Sequence, residues 1–205
     1  MDKGFVWYMS YGSNLSRERF MCYIEGGAPE GSTSTERGCR DTSSPIRDEF
    51  VEIPYPLYFA GRSGRWGAAP AFIGLEPVTN EKTIGRMYLI TKGQFMDIAA
   101  QENGLDELDI DLDKVKDKKK LRVSRRMYGT MLHVGQKDGY EIFSFTSNND
   151  IQDVQFAKPS IAYLAMILSG ILTNLSLTKE KAIEYLHVKP GVREYFSLNE
   201  LKQLL

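Results

Sequence analysis

Two places in this chain carry residue types in settings that could do chemistry: the pentapeptide Tyr11-Gly12-Ser13-Asn14-Leu15 and the carboxylate of Glu102. The pentapeptide follows the apolar run Phe5 to Met9 and leads into Leu15 to Ile24, whose apolar residues have helical spacing, so it reads as strand, loop, helix N-terminus. Gly12 has no Cβ and lets backbone approach closely, and Ser13 and Asn14 favour caps and turns. Successive N–H groups in such a loop, with the positive end of a helix behind them, can dock an anion or a polarised carbonyl oxygen. The plainer alternative is that Gly-Ser-Asn only turns the chain.

Glu102 owes its interest to its position. Phe95, Ile98 and Ala99 fall at i, i+3 and i+4 of one segment and Glu102 at i+7, so its carboxylate lies on the apolar stripe, beside the negative end of its own helix. A carboxylate that loses solvation there can both accept and donate a proton near neutral pH. The plainer alternative is a C-terminal Glu that frays into water. Other chemistry finds less support. His133 and His187 have no Cys, Ser or second His at a telling distance, and Cys22 and Cys39 form no CxxC pair, so neither a zinc site nor a disulfide framework is expected. Ser13 reads as part of a donor loop and not as a nucleophile, since no base is identifiable beside it.

The elements that must position these residues follow from pattern. Thr91-x-x-Gln94 is a capping box and Asn103-Gly104 a helix stop, which predicts a helix between them. Strands are predicted at Tyr55 to Ala60, Ala69 to Leu75 and Ile84 to Ile90, with a hairpin of Tyr128 to Val134 and Tyr140 to Phe145 around Gly135 to Gly139. Gly26 to Pro45 reads as a long surface loop, and the charged run Asp106 to Arg126 as a solvated loop or hairpin. Pro159 to Leu172 is apolar nearly all round and predicts a core helix. Thr178 starts a further helix, and the box Ser197-x-x-Glu200 a last short one. Strands in the middle with helices between and after them indicate an α+β fold with a mostly antiparallel sheet. The expected division is a domain over 1–175 and a helical appendage over 176–205.

With 42% hydrophobic and 26% charged residues the chain has ordinary globular composition, which excludes general disorder. A formal net charge of −1 advertises neither nucleic acid nor an anionic membrane. No aromatic residues interleave with the lysines of 116–120 as a nucleic-acid stacking platform needs. The apolar run Ile161 to Leu172 is too short to span a bilayer. The expectation is a cytoplasmic protein with no membrane or nucleic-acid partner; oligomeric state is left open.

Taken in order, Tyr11-Gly12-Ser13-Asn14-Leu15, Trp66-Gly67-Ala68-Ala69-Pro70-Ala71-Phe72-Ile73, Gly85-Arg86-Met87-Tyr88, Gln101-Glu102-Asn103-Gly104 and Pro159-Ser160 with Tyr163 resemble the γ-glutamylcyclotransferase-like family over roughly residues 5 to 175. The resemblance implies a small antiparallel β-barrel flanked by helices. It also implies conversion of a γ-glutamyl amide to 5-oxoproline with release of an amine, on a small-molecule substrate and with no cofactor or metal. Carried over by position, Glu102 is the acid/base residue. Tyr11, Gly12, Ser13, Asn14 and Leu15 hold the γ-glutamyl group, with Trp66 and Tyr163 beside it. The alternative is a non-catalytic binding module on the same fold.

Overall fold

The computed structural model describes residues 4–28, 35–64, 67–174 and 176–205. In chain order its elements are β1 (Phe5–Ser10), α1 (Arg17–Glu25), β2 (Arg47–Ile53), β3 (Leu57–Phe59), β4 (Ala71–Ile73), β5 (Thr83–Thr91), α2 (Lys92–Glu102), α3 (Leu112–Lys118), β6 (Lys120–Arg122), β7 (Thr130–Lys137), β8 (Tyr140–Thr146), α4 (Ile161–Leu172), α5 (Lys179–His187) and α6 (Leu198–Lys202), with short 3-10 turns at Ser13–Leu15 and Ile151–Asp153. The architecture is α+β. The chain divides into two compact units, the first comprising Met1–Ser10, Glu18–Val51 and Gly85–Asn148, the second Tyr11–Arg17, Glu52–Ile84 and Asn149–Leu205.

The first unit is built on a six-stranded sheet in the order β2-β5-β1-β8-β7-β6. β5 is buried along its whole length and β1 along all but its first residue, which is what two apolar strands do when both faces are covered. They pair antiparallel from Phe5 opposite Thr91 to Ser10 opposite Arg86, while β1 and β8 run parallel through Trp7 and Tyr8. Between β7 and β8 the turn residues Asp138 and Gly139 both have positive φ, the two-residue geometry that matches strand twist. Against this sheet α1 and α2 deliver Phe20, Tyr23, Phe95 and Ile98 to one apolar cluster with Tyr8, Tyr88 and Phe145. Within it Phe20 stacks on Tyr88 at 3.7 Å between centroids and Tyr8 on Phe145 at 5.2 Å. Each such pair contributes on the order of 0.5–1.5 kcal/mol beyond its area burial.

Among the described residues the sheet does not close into a barrel. The expected barrel is thus an open sheet, and its edges explain why: β6 is three residues long with Lys120 and Arg122 exposed, and β2 opens on Arg47, Asp48 and Glu49. Charged, short edges resist further pairing. The same features hid both strands from pattern reading. The run Asp106 to Arg126, expected as a solvated loop or hairpin, contains α3 and then β6, which pairs antiparallel with β7 as a hairpin does. Asp111 caps α3 by accepting from the Lys114 amide at 2.9 Å, and Leu112 and Val115 are buried on one face.

The second unit holds the hairpin β3–β4, registered from Leu57 opposite Ile73 to Phe59 opposite Ala71, together with α4, α5 and α6. Ser160 caps α4, Thr178 caps α5, and the Ser197/Glu200 capping box on α6 is formed on both sides. Residues 176–205 therefore share a unit with 52–84 and with α4.

Candidate functional site

In the second unit the loop Tyr11–Leu15 is a turn packed into protein. Tyr11, Ser13, Asn14 and Leu15 are all buried. The Leu15 amide donates to the Gly12 carbonyl and the Ser16 amide to the Ser13 carbonyl, both at 3.1 Å, closing a single 3-10 turn before α1 begins at Arg17. The expected direct step from loop to helix is thus interrupted. The Leu15 and Ser16 amides are spent within the turn itself.

Helix α4 forms the seat of this loop. A Cβ on Gly170 would lie 2.7 Å from the Leu15 carbonyl carbon and the Ser16 nitrogen, so only glycine lets the helix meet the loop backbone here. One turn from its N-terminus α4 presents Tyr163, 2% exposed, with Phe59 edge-on at 6.2 Å. The Tyr163 hydroxyl accepts from the Ala71 amide at 3.3 Å and lies 2.7 Å from where a Gly12 Cβ would sit. Gly12, Ala71 and Tyr163, drawn from three distant parts of the sequence, thus form one contact in which Gly12 leaves room for the phenol oxygen. Trp66, and residues 29–34 of the expected long loop, lie outside the described residues.

Glu102 belongs to the first unit. It ends α2, whose N-terminus carries the predicted capping box: the Thr91 hydroxyl accepts from the Gln94 amide at 3.2 Å, and the Gln94 side chain accepts from the Thr91 amide at 3.0 Å. Glu102 is half-buried, between buried neighbours on each side. Gln101 donates through Nε2 to the Tyr23 carbonyl at 3.1 Å and accepts through Oε1 from the Gly38 amide at 3.2 Å. Asn103 donates through Nδ2 to the Tyr128 carbonyl and accepts through Oδ1 from the Tyr128 amide, both at 3.0 Å. The two amide side chains clamp the helix end to α1, to the segment after it and to the approach to β7, which fixes the backbone that carries the carboxylate.

The same unit holds a buried cation on α1 that pattern reading missed. Arg19, 2% exposed, donates through Nη2 to Glu36 Oε1 at 2.6 Å and to the Tyr23 hydroxyl at 3.1 Å, and its guanidinium lies 4.5 Å from the Tyr23 ring centroid. Burial works against its charge, yet Tyr23, Glu36 and Glu102 together hold its pKa above the ordinary value. Glu102 therefore has an oppositely charged group within electrostatic reach. The signal was present in the sequence: Arg19 shares the face of α1 that carries Tyr23, and a charge on a buried stripe requires a partner. Glu36 was less legible, because it reaches Arg19 through an isolated bridge between Gly27 and Glu36.

His133 donates no chemistry to either place. Its Nε2 is 2.7 Å from Glu141 Oε2, and Glu141 Oε1 is 2.6 Å from Lys116 Nζ. Among the described residues no group of three or more His, Cys, Asp or Glu is arranged to hold a metal ion, and no helix is long and apolar enough to cross a membrane. The loop residues Tyr11–Leu15 and Tyr163 belong to one unit, where Gly12 meets the Tyr163 hydroxyl; Glu102 and Arg19 belong to the other.

This fold is that of the γ-glutamyl cyclotransferases. A solved γ-glutamyl cyclotransferase superimposes with a TM-score of 0.52 over 98% of this chain and 97% of its own, at 18% identity. An uncharacterized protein from Homo sapiens superimposes with a TM-score of 0.53 over 98% of both chains, also at 18% identity. No family model matches the sequence. Among curated proteins, histone deacetylase 5 of Arabidopsis thaliana is 29% identical over 200 residues, covering 88% of this chain; the chain spans 30% of that relative's length.

Proposed function

We propose that this chain cyclises a γ-glutamyl amide to 5-oxoproline and releases the amine. The observation that carries the reading is the fold, shared over nearly the whole chain with a γ-glutamyl cyclotransferase. In this reading the Tyr11–Leu15 loop binds the γ-glutamyl group, with Trp66 and Tyr163 as further binding residues, and Glu102 moves the protons. The substrate's α-ammonium gives up a proton to Glu102. The resulting amine attacks its own γ-carbonyl carbon, the bond from that carbon to the amide nitrogen breaks as the leaving nitrogen takes the proton back from Glu102, and the ring nitrogen sheds its second proton, which the released amine takes up to depart as an ammonium ion. No water is consumed and no electron changes hands, so the step balances without a cofactor. Loop amides stabilise the charge that builds on the γ-carbonyl oxygen, an effect of about 3–4 kcal/mol for an important donor. Because the nucleophile is part of the substrate, enforced proximity supplies much of the remaining acceleration.

The test is mass-spectrometric detection of 5-oxoproline from a panel of γ-glutamyl amino acids, peptides and amines, run beside Glu102→Gln. Product from the parent and none from a folded Glu102→Gln supports the reading; equal turnover by both removes Glu102 from its role. A second reading, a non-catalytic module that binds γ-glutamyl compounds, draws on the match to part of a longer plant protein named for a different activity. Thermal stabilisation by ligand with no product across the panel would select it.

A further inference from the structure

Beside the end of α5 lies an open cavity that the cyclisation chemistry does not use. It has a volume of about 390 Å³ and lies wholly within the second unit, between the end of α5 with the turn that follows it and the loop before β5. That size is within the range of small-molecule pockets. Its walls are of two kinds. Pro56, Ile151, Val188 and Pro190 supply apolar surface, with Val188 57% exposed at the rim. Lys82, Lys189 and Arg193 supply positive charge, against one carboxylate, Glu81.

The three cations are not equivalent. Lys82 is paired with Glu52 at 3.0 Å and Arg193 with Glu194 at 2.8 Å, so both are largely compensated. Lys189 is different: its side chain is 7% exposed, its ammonium donates to the Lys82 carbonyl at 2.6 Å and lies 4.7 Å from the Tyr185 ring centroid, and its carboxylate neighbour Glu81 stays 3.9 Å away and is itself 44% exposed. A carbonyl and an aromatic face compensate a buried ammonium only in part. Burial accordingly lowers the Lys189 pKa, with Glu81 acting against that fall. An anion entering the cavity would supply the missing counter-charge, and an apolar body attached to it would cover Val188.

We infer that this cavity is a second ligand site, for a small organic anion with a carboxylate head against Lys189 and an apolar tail against Val188 and Ile151. The site is independent of the cyclotransferase reading and stands or falls without it. Hexanoate is a suitable probe, with hexylammonium and inorganic phosphate as controls, titrated into the 15N-labelled chain by NMR. The expected result is saturable shifting of the Val188, Lys189 and Arg193 amides by hexanoate, with little response to hexylammonium and weaker binding of phosphate. Lys189→Met should weaken hexanoate at least ten-fold, whereas Glu81→Gln, which removes the competing carboxylate, should tighten it several-fold. If Lys189→Met does not fold, Glu81→Gln decides, since an unchanged or weaker affinity there overturns the assignment. Equal shifts with hexylammonium, phosphate binding as well as hexanoate, or no saturable shift at these amides overturns it equally.

Discussion

Adding one methyl group at Gly12 tests the packing that seats the loop. In Gly12→Ala the new Cβ lies 2.7 Å from the Tyr163 hydroxyl oxygen, a separation real Cβ atoms essentially never show, whereas the next atom, Tyr163 Cζ, is 3.8 Å away and the Ala71 Cβ 3.9 Å away, both ordinary contacts. The clash therefore comes from a single oxygen. That oxygen cannot move cheaply, because Tyr163 is 2% exposed and accepts from the Ala71 amide. Overpacking of this kind costs about 1–3 kcal/mol, which in a chain of this length lowers Tm by roughly 2–12 °C. Tyr163→Phe deletes the offending atom and forgoes the hydrogen bond from the Ala71 amide, worth about 0.5–1.5 kcal/mol. In the Tyr163→Phe background Gly12→Ala should then be nearly neutral, a coupling of about 1–3 kcal/mol in a double-mutant cycle. Denaturant melts of the four proteins supply the cycle. If Gly12→Ala costs the same in both backgrounds, the contact between this glycine and this hydroxyl is not what makes the loop close.

Three further expectations follow from groups described above. Arg19→Met leaves the Glu36 carboxylate buried at 5% exposure without its 2.6 Å partner, so it should cost about 3–5 kcal/mol in a denaturant melt, and Arg19→Met with Glu36→Leu should recover most of that. At Glu141 partial burial alone would raise the carboxyl pKa, but hydrogen bonds from Lys116 and His133 outweigh it and hold the pKa below 4.5. A depressed carboxylate stabilises the fold above its unfolded pKa and loses that contribution as pH falls through the folded value. Glu141→Gln should therefore be less stable by about 1 kcal/mol at pH 7, with the difference shrinking below about pH 4.5. Burial, with Asp97 nearby, pushes the Cys39 thiol up to about 12, so at pH 8 only about 10⁻⁴ of it is thiolate; thiol titration should label the half-buried Cys22 first and Cys39 only when denaturant unfolds the chain.

Local chemistry was legible wherever it is written in adjacent residues. The boxes Thr91/Gln94 and Ser197/Glu200 place the starts of α2 and α6, because a cap is satisfied by residues three apart whatever the tertiary context. The Asp138-Gly139 turn sets the β7–β8 hairpin in the same way. Less legible were elements whose burial depends on distant partners. β2 alternates charge with Phe50 and Val51 and reads as neither period, since as an edge strand it is only half covered. α3 was masked by its own lysines, although Leu112 and Val115 at i and i+3 mark the face it buries. At the candidate site, Glu102 could be placed at the end of a helix by spacing. The clamp of Gln101 and Asn103 could not, because its partners Tyr23, Gly38 and Tyr128 come from three separate segments.

The proposed reaction differs from simple hydrolysis in which atoms the product keeps. A γ-glutamyl amide labelled with 15N at the α-amine, incubated with this protein in H₂18O, tests that difference directly. The account predicts 5-oxoproline that retains the 15N in its ring and contains no 18O, formed by the parent chain and not by a folded Glu102→Gln variant. Glutamate carrying 18O in its side-chain carboxyl, or labelled 5-oxoproline formed equally fast by the variant, would contradict it.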